Sequence, residues 1–150
     1  MAYVQNSPEE WSHLDMDNEP RILVVDDEEN LLRSVAKTLF REGFDVETAE
    51  DNTSALALIQ ETLNKNIPFD LILLDLNMPD FSGKESKYAG LELLERIKVE
   101  APDMPVIINS AWDEVETAKM CIDKGAADYF VKGRTDEMMN KIRSVLGMAE

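Results

Sequence analysis

With 150 residues, 44% of them hydrophobic and 31% charged, the chain has the balance of one globular domain and is too short for two ordinary ones. A formal net charge of -16, from 31 acids against 15 bases, argues against direct binding to nucleic acid or to an anionic membrane surface. The single cysteine, Cys121, rules out an internal disulfide; no zinc-type Cys and His spacing, signal pattern or apolar run near the ~20 residues of a membrane span is present, so the expected location is the cytoplasm.

Residues 1–19 hold five acids, no Lys or Arg and no sustained periodicity, and read as an acidic, mobile leader; His13, the one histidine, reads as a surface residue there. The body, residues 20–150, still holds 26 acids against 15 bases. From Arg21, short runs rich in Val and Ile alternate with stretches of helical spacing, the signature of repeated βα units. Ile22–Val25 reads as the first strand. A helix follows with Leu31, Leu32, Val35, Leu39 and Phe40 on its apolar face and Gly43 as its stop. Phe44–Thr48 reads as a strand, Asp51 or Asn52 as the cap of a second helix carrying Ala55, Leu58 and Ile59, and the apolar run Leu71–Leu74 as a central strand. Asp75 follows it immediately. A third helix is expected over Leu91–Val99, a fourth strand over Val106–Asn109, and a fourth helix over Asp113–Lys124, ended by Gly125. Tyr129–Val131 reads as the last strand, and Thr135 as the cap of a last helix with Asp136 and Glu137 in its first turn and Met138, Ile142 and Val145 on its apolar face.

Five such units favour a doubly wound α/β fold: a five-stranded parallel sheet in the order 2-1-3-4-5, five helices on its two faces, and a crevice beyond the carboxyl ends of strands one and three. Asp26, Asp27 and Asp75 stand at those two ends, Ser110 at the end of strand four and Lys132 at the end of strand five. Three clustered carboxylates repel one another unless they take up protons or a hard cation, and Mg²⁺, which prefers oxygen ligands and commonly couples carboxylates to phosphate, suits them. A carboxylate nucleophile beside a cation, a lysine and a hydroxyl is a plausible place to move a phosphoryl group. Taken singly, Asp26 and Asp27 read equally well as helix caps and Lys132 as an exposed loop residue; their convergence favours the functional reading.

Val-Val-Asp-Asp at 24–27, Leu-Asp-Leu-Asn-Met-Pro at 74–79, Asn-Ser-Ala at 109–111 and Tyr-Phe-Val-Lys at 129–132 resemble the motifs of two-component response-regulator receiver domains, a flavodoxin-like fold. The resemblance covers residues 21 to about 147. It implies that Asp75 is the phosphoacceptor, that Asp27 and Asp75 bind Mg²⁺ directly, Asp26 largely through water and Asn77 through its backbone carbonyl, and that Ser110 and Lys132 bind phosphoryl oxygens. Tyr129 matches the aromatic switch position, and Asn77 and Trp112 flank the path of an attacking water. A sensor histidine kinase or phosphotransfer protein would donate the phosphoryl group. The face of the fourth helix, fifth strand and fifth helix would change shape toward a downstream protein, an output domain or a second copy. Self-catalysed transfer and slow loss of the phosphoryl group are expected, without enzymatic turnover of a substrate.

Two departures from the family pattern matter. Six residues, 84–89, separate Gly83 from Gly90, which makes this stretch about seven residues longer than the usual pattern when one glycine is counted with them, either as a partner contact or as a tolerated insertion. Gly133 replaces the proline that usually follows the lysine, so the Lys132–Gly133 bond is expected to be trans, a cis bond before a non-proline costing roughly 2.5–4 kcal/mol. Among other readings, a degenerate receiver serving only as an interaction module conflicts with the full set of acids, hydroxyl and lysine. A phosphatase of the haloacid-dehalogenase type conflicts with Asn77, where that family places a second aspartate. Only three residues follow Gly147, so no output domain is expected within this sequence; a stand-alone regulator and a receiver from a longer protein are both open.

Overall fold

The computed structural model describes residues 19–79, 81–86, 89–111 and 115–148; Trp11, His13, Trp112 and Asp113 lie outside the described residues. In chain order the first elements are β1 (Arg21–Val25), α1 (Glu29–Arg41), β2 (Asp45–Ala49), α2 (Asn52–Asn64) and β3 (Leu71–Asp75). They are followed by β4 (Met78–Pro79), β5 (Glu85–Ser86), α3 (Ala89–Glu100), β6 (Val106–Ser110), α4 (Val115–Asp123), β7 (Asp128–Val131) and α5 (Thr135–Val145). The main sheet runs β2-β1-β3-β6-β7, all parallel, which is the expected order with the short pair β4–β5 inserted into the count.

A parallel sheet is covered on both faces, so its central strand must be apolar on both. Every residue of β3 is buried. Ile72 and Leu74 join a cluster with Ala55, Ile59, Leu93 and Cys121 from α2, α3 and α4; Leu71 and Leu73 join a second with Leu32, Leu39, Met138 and Ile142 from α1 and α5. Each buried Leu, Ile or Met among them contributes roughly 1.5–3 kcal/mol on leaving water. Cys121 is a packing residue, as its apolar helical surroundings suggest: burial pushes its thiol up to about 11, far from the thiolate.

Several boundaries differ from expectation for identifiable reasons. β2 begins at Asp45 rather than Phe44, because Phe44 belongs to the end of α1: its amide donates to Leu39 O at 3.1 Å, and Gly43, at φ 96°, donates to Phe40 O at 3.1 Å. This is the paired C-terminal turn in which a left-handed glycine closes a helix. Phe40, expected on the apolar face of that helix, is 72% exposed. Thr135 is the first residue of α5 and not its cap; the first helical bond runs from Met138 N to Arg134 O, and Arg134 occupies the cap position. β6 extends to Ser110, β7 begins at Asp128, and α3 runs from Ala89, taking Gly90 inside the helix. The extra residues make a structure of their own: β4 and β5 pair antiparallel, Met78 with Ser86 and Pro79 with Glu85, and Gly83 takes φ 87° between them. No cis peptide occurs among the described residues, so Lys132–Gly133 is trans as expected, and Gly133 has φ 91°.

Candidate functional site

The register of the sheet sets the site. β1 and β3 pair Val25 with Leu74, so Asp26 and Asp75 follow side by side; β3 and β6 pair Asp75 with Asn109, and β6 and β7 pair Ser110 with Val131. Lys132 comes next, its amide donating to Ser110 O at 2.8 Å. Residues separated by more than a hundred positions thus reach one edge.

Asp26, Asp27 and Asp75 each offer a carboxylate oxygen, all within 4.8 Å of one another. Asp26 is held from two sides: Oδ1 accepts from the Glu28 amide at 2.9 Å, and Oδ2 stands 3.1 Å from Lys132 Nζ. Asp75 is fully buried, with Oδ1 accepting from the Asn77 amide at 3.2 Å and Oδ2 3.1 Å from the same ammonium. That second oxygen has a charge partner but no aligned hydrogen-bond donor, so its lone pairs remain uncommitted in a buried place.

Burial first, and the Asp26 charge second, push the Asp75 carboxyl up to about 7, against the pull of Lys132 and the Asn77 amide. Burial draws Lys132 down, but the Asp75 and Asp26 carboxylates outweigh it and hold the ammonium above its usual value. A carboxylate so short of compensation, beside two others, is a set that a hard cation would satisfy with oxygen ligands.

The predicted residues therefore come together in part by direct contact and in part by position. Asp26, Asp75 and Lys132 touch; Asp27 joins the acidic cluster half-buried; Asn77 meets Asp75 through its backbone; Ser110 is buried at the end of β6. Tyr129 stands apart on β7, half-buried, lining a hollow of about 370 Å³ with Val115, Ala118 and Ile122 of α4 and Glu137 of α5.

Three residues acquire a place at the site that was not assigned from sequence. Glu28 reaches Lys132 with its carboxylate, Asn109 lies buried beside Asp75 with its Oδ1 unpartnered, and Gly90 packs under the Asp75 backbone. Signals existed: Glu28 is the third acid of a consecutive run, and Asn109 is a polar residue in an otherwise apolar strand.

Known proteins give a consistent answer. The alginate biosynthesis transcriptional regulatory protein AlgB of Pseudomonas putida is 40% identical over 116 residues, covering 77% of this chain but 23% of AlgB. The chain thus spans less than a quarter of the length of that relative. The crystal structure of the receiver domain of NtrX from Brucella abortus matches with a TM-score of 0.70 and 36% identity, covering 85% of this chain and 99% of that one. A CheY-like receiver domain protein from Methanospirillum hungatei matches with a TM-score of 0.72 and 31% identity, over 87% of this chain and 95% of that one. The family model for the response regulator receiver domain matches residues 22–143, and with most of its length so accounted for the chain belongs to the response regulator receiver domain family.

Proposed function

We propose that this receiver is active, with Asp75 as its phosphoacceptor and residues 20–150 as the working unit. The observation that carries the proposal is the environment of Asp75: fully buried at the end of the central strand, 3.1 Å from Lys132 Nζ, clustered with Asp26 and Asp27, and with one oxygen free of hydrogen bonds. In the transfer, an Asp75 oxygen attacks the phosphorus of the donor, a phosphohistidine or a small acyl phosphate. The bond from phosphorus to the donor nitrogen or oxygen breaks and its electron pair leaves with the donor.

The side chains divide the work. The Lys132 ammonium neutralises charge on the phosphoryl oxygens, and the Ser110 hydroxyl, at the end of the neighbouring strand, donates to one of them. The Asn77 amide orients Asp75 through Oδ1. Asp26, Asp27, Asp75 and the Asn77 carbonyl would hold Mg²⁺, a fit supported by the all-oxygen donor set and the uncommitted Asp75 oxygen. When bound, that ion supplies a Lewis acid for the phosphoryl oxygens.

A histidine kinase or phosphotransfer protein is the proposed donor. The readout runs through Tyr129 and the α4–β7–α5 face, where the hollow beside Tyr129 and the exposed Val115 and Ile122 leave room for rearrangement and for a downstream domain or second copy. Among the described residues no helix is long and apolar enough to cross a membrane; the proposed site of action is the cytoplasm. The test is incubation with acetyl phosphate and Mg²⁺ followed by intact-mass spectrometry. One phosphoryl group per chain is expected, absent in Asp75→Asn and without metal; undiminished labelling of that variant contradicts the proposal.

A further inference from the structure

Lys132 is more heavily engaged than phosphoryl binding requires. Its Nζ lies 3.1 Å from Asp26 Oδ2, 3.1 Å from Asp75 Oδ2 and 3.3 Å from Glu28 Oε1. An ammonium has three protons and no lone pair, and three carboxylates already crowd it, so an incoming phosphoryl oxygen has to compete with them for it.

The three are not equally held. The Asp26 and Asp75 side chains are 3% and 0% exposed, so neither can swing away from the ammonium into water. The Glu28 side chain is 66% exposed and returns to water at little cost. Its local duties do not hold it either. Glu28 occupies the cap position of α1, where a side chain ordinarily accepts from the first turn, yet its side chain makes no capping bond. Its backbone amide serves Asp26 Oδ1, and its carboxylate crosses to a residue 104 positions away.

We propose that Glu28 is a positioning residue that keeps the phosphoryl place on Lys132: its carboxylate occupies the ammonium before transfer and is displaced by the phosphoryl oxygen during it. This rests on Asp75 being the phosphoacceptor. Glu28 then does two things. It holds the lysine head over Asp75 in the resting protein, and it sets a toll on every anionic donor, which has to break the Glu28–Lys132 pair to enter. Specificity toward donors follows, because a partner that offers its own cation to Glu28 removes the competitor, whereas a small anion cannot.

The experiment compares second-order rate constants for labelling by acetyl phosphate, at saturating Mg²⁺ and constant ionic strength, read by intact mass. Glu28→Gln and Glu28→Ala are expected to label about three- to fivefold faster than the wild type, the worth of a part-exposed ion pair. Glu29→Gln removes the same charge one residue along, from a side chain paired with Arg33 and not with Lys132, and is expected to leave the rate unchanged. In a Lys132→Ala background, where the base rate is lower, Glu28→Gln is expected to add nothing. Unchanged or slower labelling of both Glu28 variants overturns the role of Glu28. So does an equal gain from Glu29→Gln or in the Lys132→Ala background, which would mean general repulsion. A wild-type protein that takes up no phosphoryl group overturns the phosphoacceptor reading and this inference together, and is distinguished by that result alone.

Discussion

Gly90 lies directly against the backbone of Asp75: a Cβ at position 90 would stand 2.5 Å from the Asp75 carbonyl oxygen and 2.7 Å from Leu76 Cα. The Gly90 amide also donates to Leu76 O at 2.8 Å, so the first turn of α3 is fastened to the end of the central strand beside Asp75. Both atoms that would meet the new carbon are backbone and cannot turn aside. Gly90→Ala is therefore expected to cost about 1–3 kcal/mol, as overpacking does, despite the better helix propensity of alanine. It should also slow labelling of Asp75. Chemical denaturation checks the first point; a variant as stable as the wild type would show that α3 can slide away from β3.

The charge state of Asp75 makes stability depend on pH in a defined direction. Its carboxyl titrates at about 7 in the folded chain against an ordinary 3.8, so between these values the folded state holds a proton that the unfolded state has released. Stability falls as pH rises through that window and stays lowered above about 7. Asp75→Asn removes the buried charge and is expected to stabilise the metal-free protein at pH 8 by on the order of 2 kcal/mol, with little effect at pH 4. Melting curves at the two pH values decide it, and a variant less stable than the wild type at pH 8 would reverse the sign.

The same proton governs the metal. Mg²⁺ bound to the folded cluster should raise the melting temperature, by about 2.7 kcal/mol of stability at a hundredfold excess over the dissociation constant. Because the cation must displace the proton from Asp75, affinity is expected to weaken below pH 7 by up to about tenfold per unit. Calorimetric titration at pH 8 and pH 6 reads this directly; equal affinities would place the metal away from Asp75.

Much of this was legible in the sequence because strands and their ends carry distinct signals. The apolar run Leu71–Leu74 followed at once by Asp75 marks a central strand with a polar residue at its mouth, and the parallel order brings Asp26, Asp27, Ser110 and Lys132 to the same edge. Strand register then fixes neighbours that spacing alone cannot, which is why Asn109 went unassigned although it faces Asp75. The pair β4–β5 has two residues in each strand, too few for an alternation to show. The third helix is expected from Leu91 and begins at Ala89, because a helical glycine chosen for close approach, such as Gly90, looks the same in sequence as one chosen for a turn.

A buried amide secures the far side of the inserted residues. Asn52, the first residue of α2, is fully buried and donates from Nδ2 to Ala89 O at 3.1 Å, where α3 begins. Asn52→Ala loses that bond but also removes an unpartnered Oδ1, so the expected cost is about 1 kcal/mol rather than the full penalty of a broken buried pair. Hydrogen exchange should show faster opening of the first turn of α3, and unchanged protection there would assign the anchoring to Gly90 alone.

The most direct measurement of the central claim is the position of the phosphoryl group. An acyl phosphate on an aspartate is reduced by borohydride to homoserine, so peptide mapping after labelling and reduction reads the modified residue. Homoserine at position 75, and at no other aspartate, is the predicted result. Homoserine at Asp26 or Asp27, or none despite a phosphorylated intact mass, would contradict the assignment of Asp75 as the acceptor.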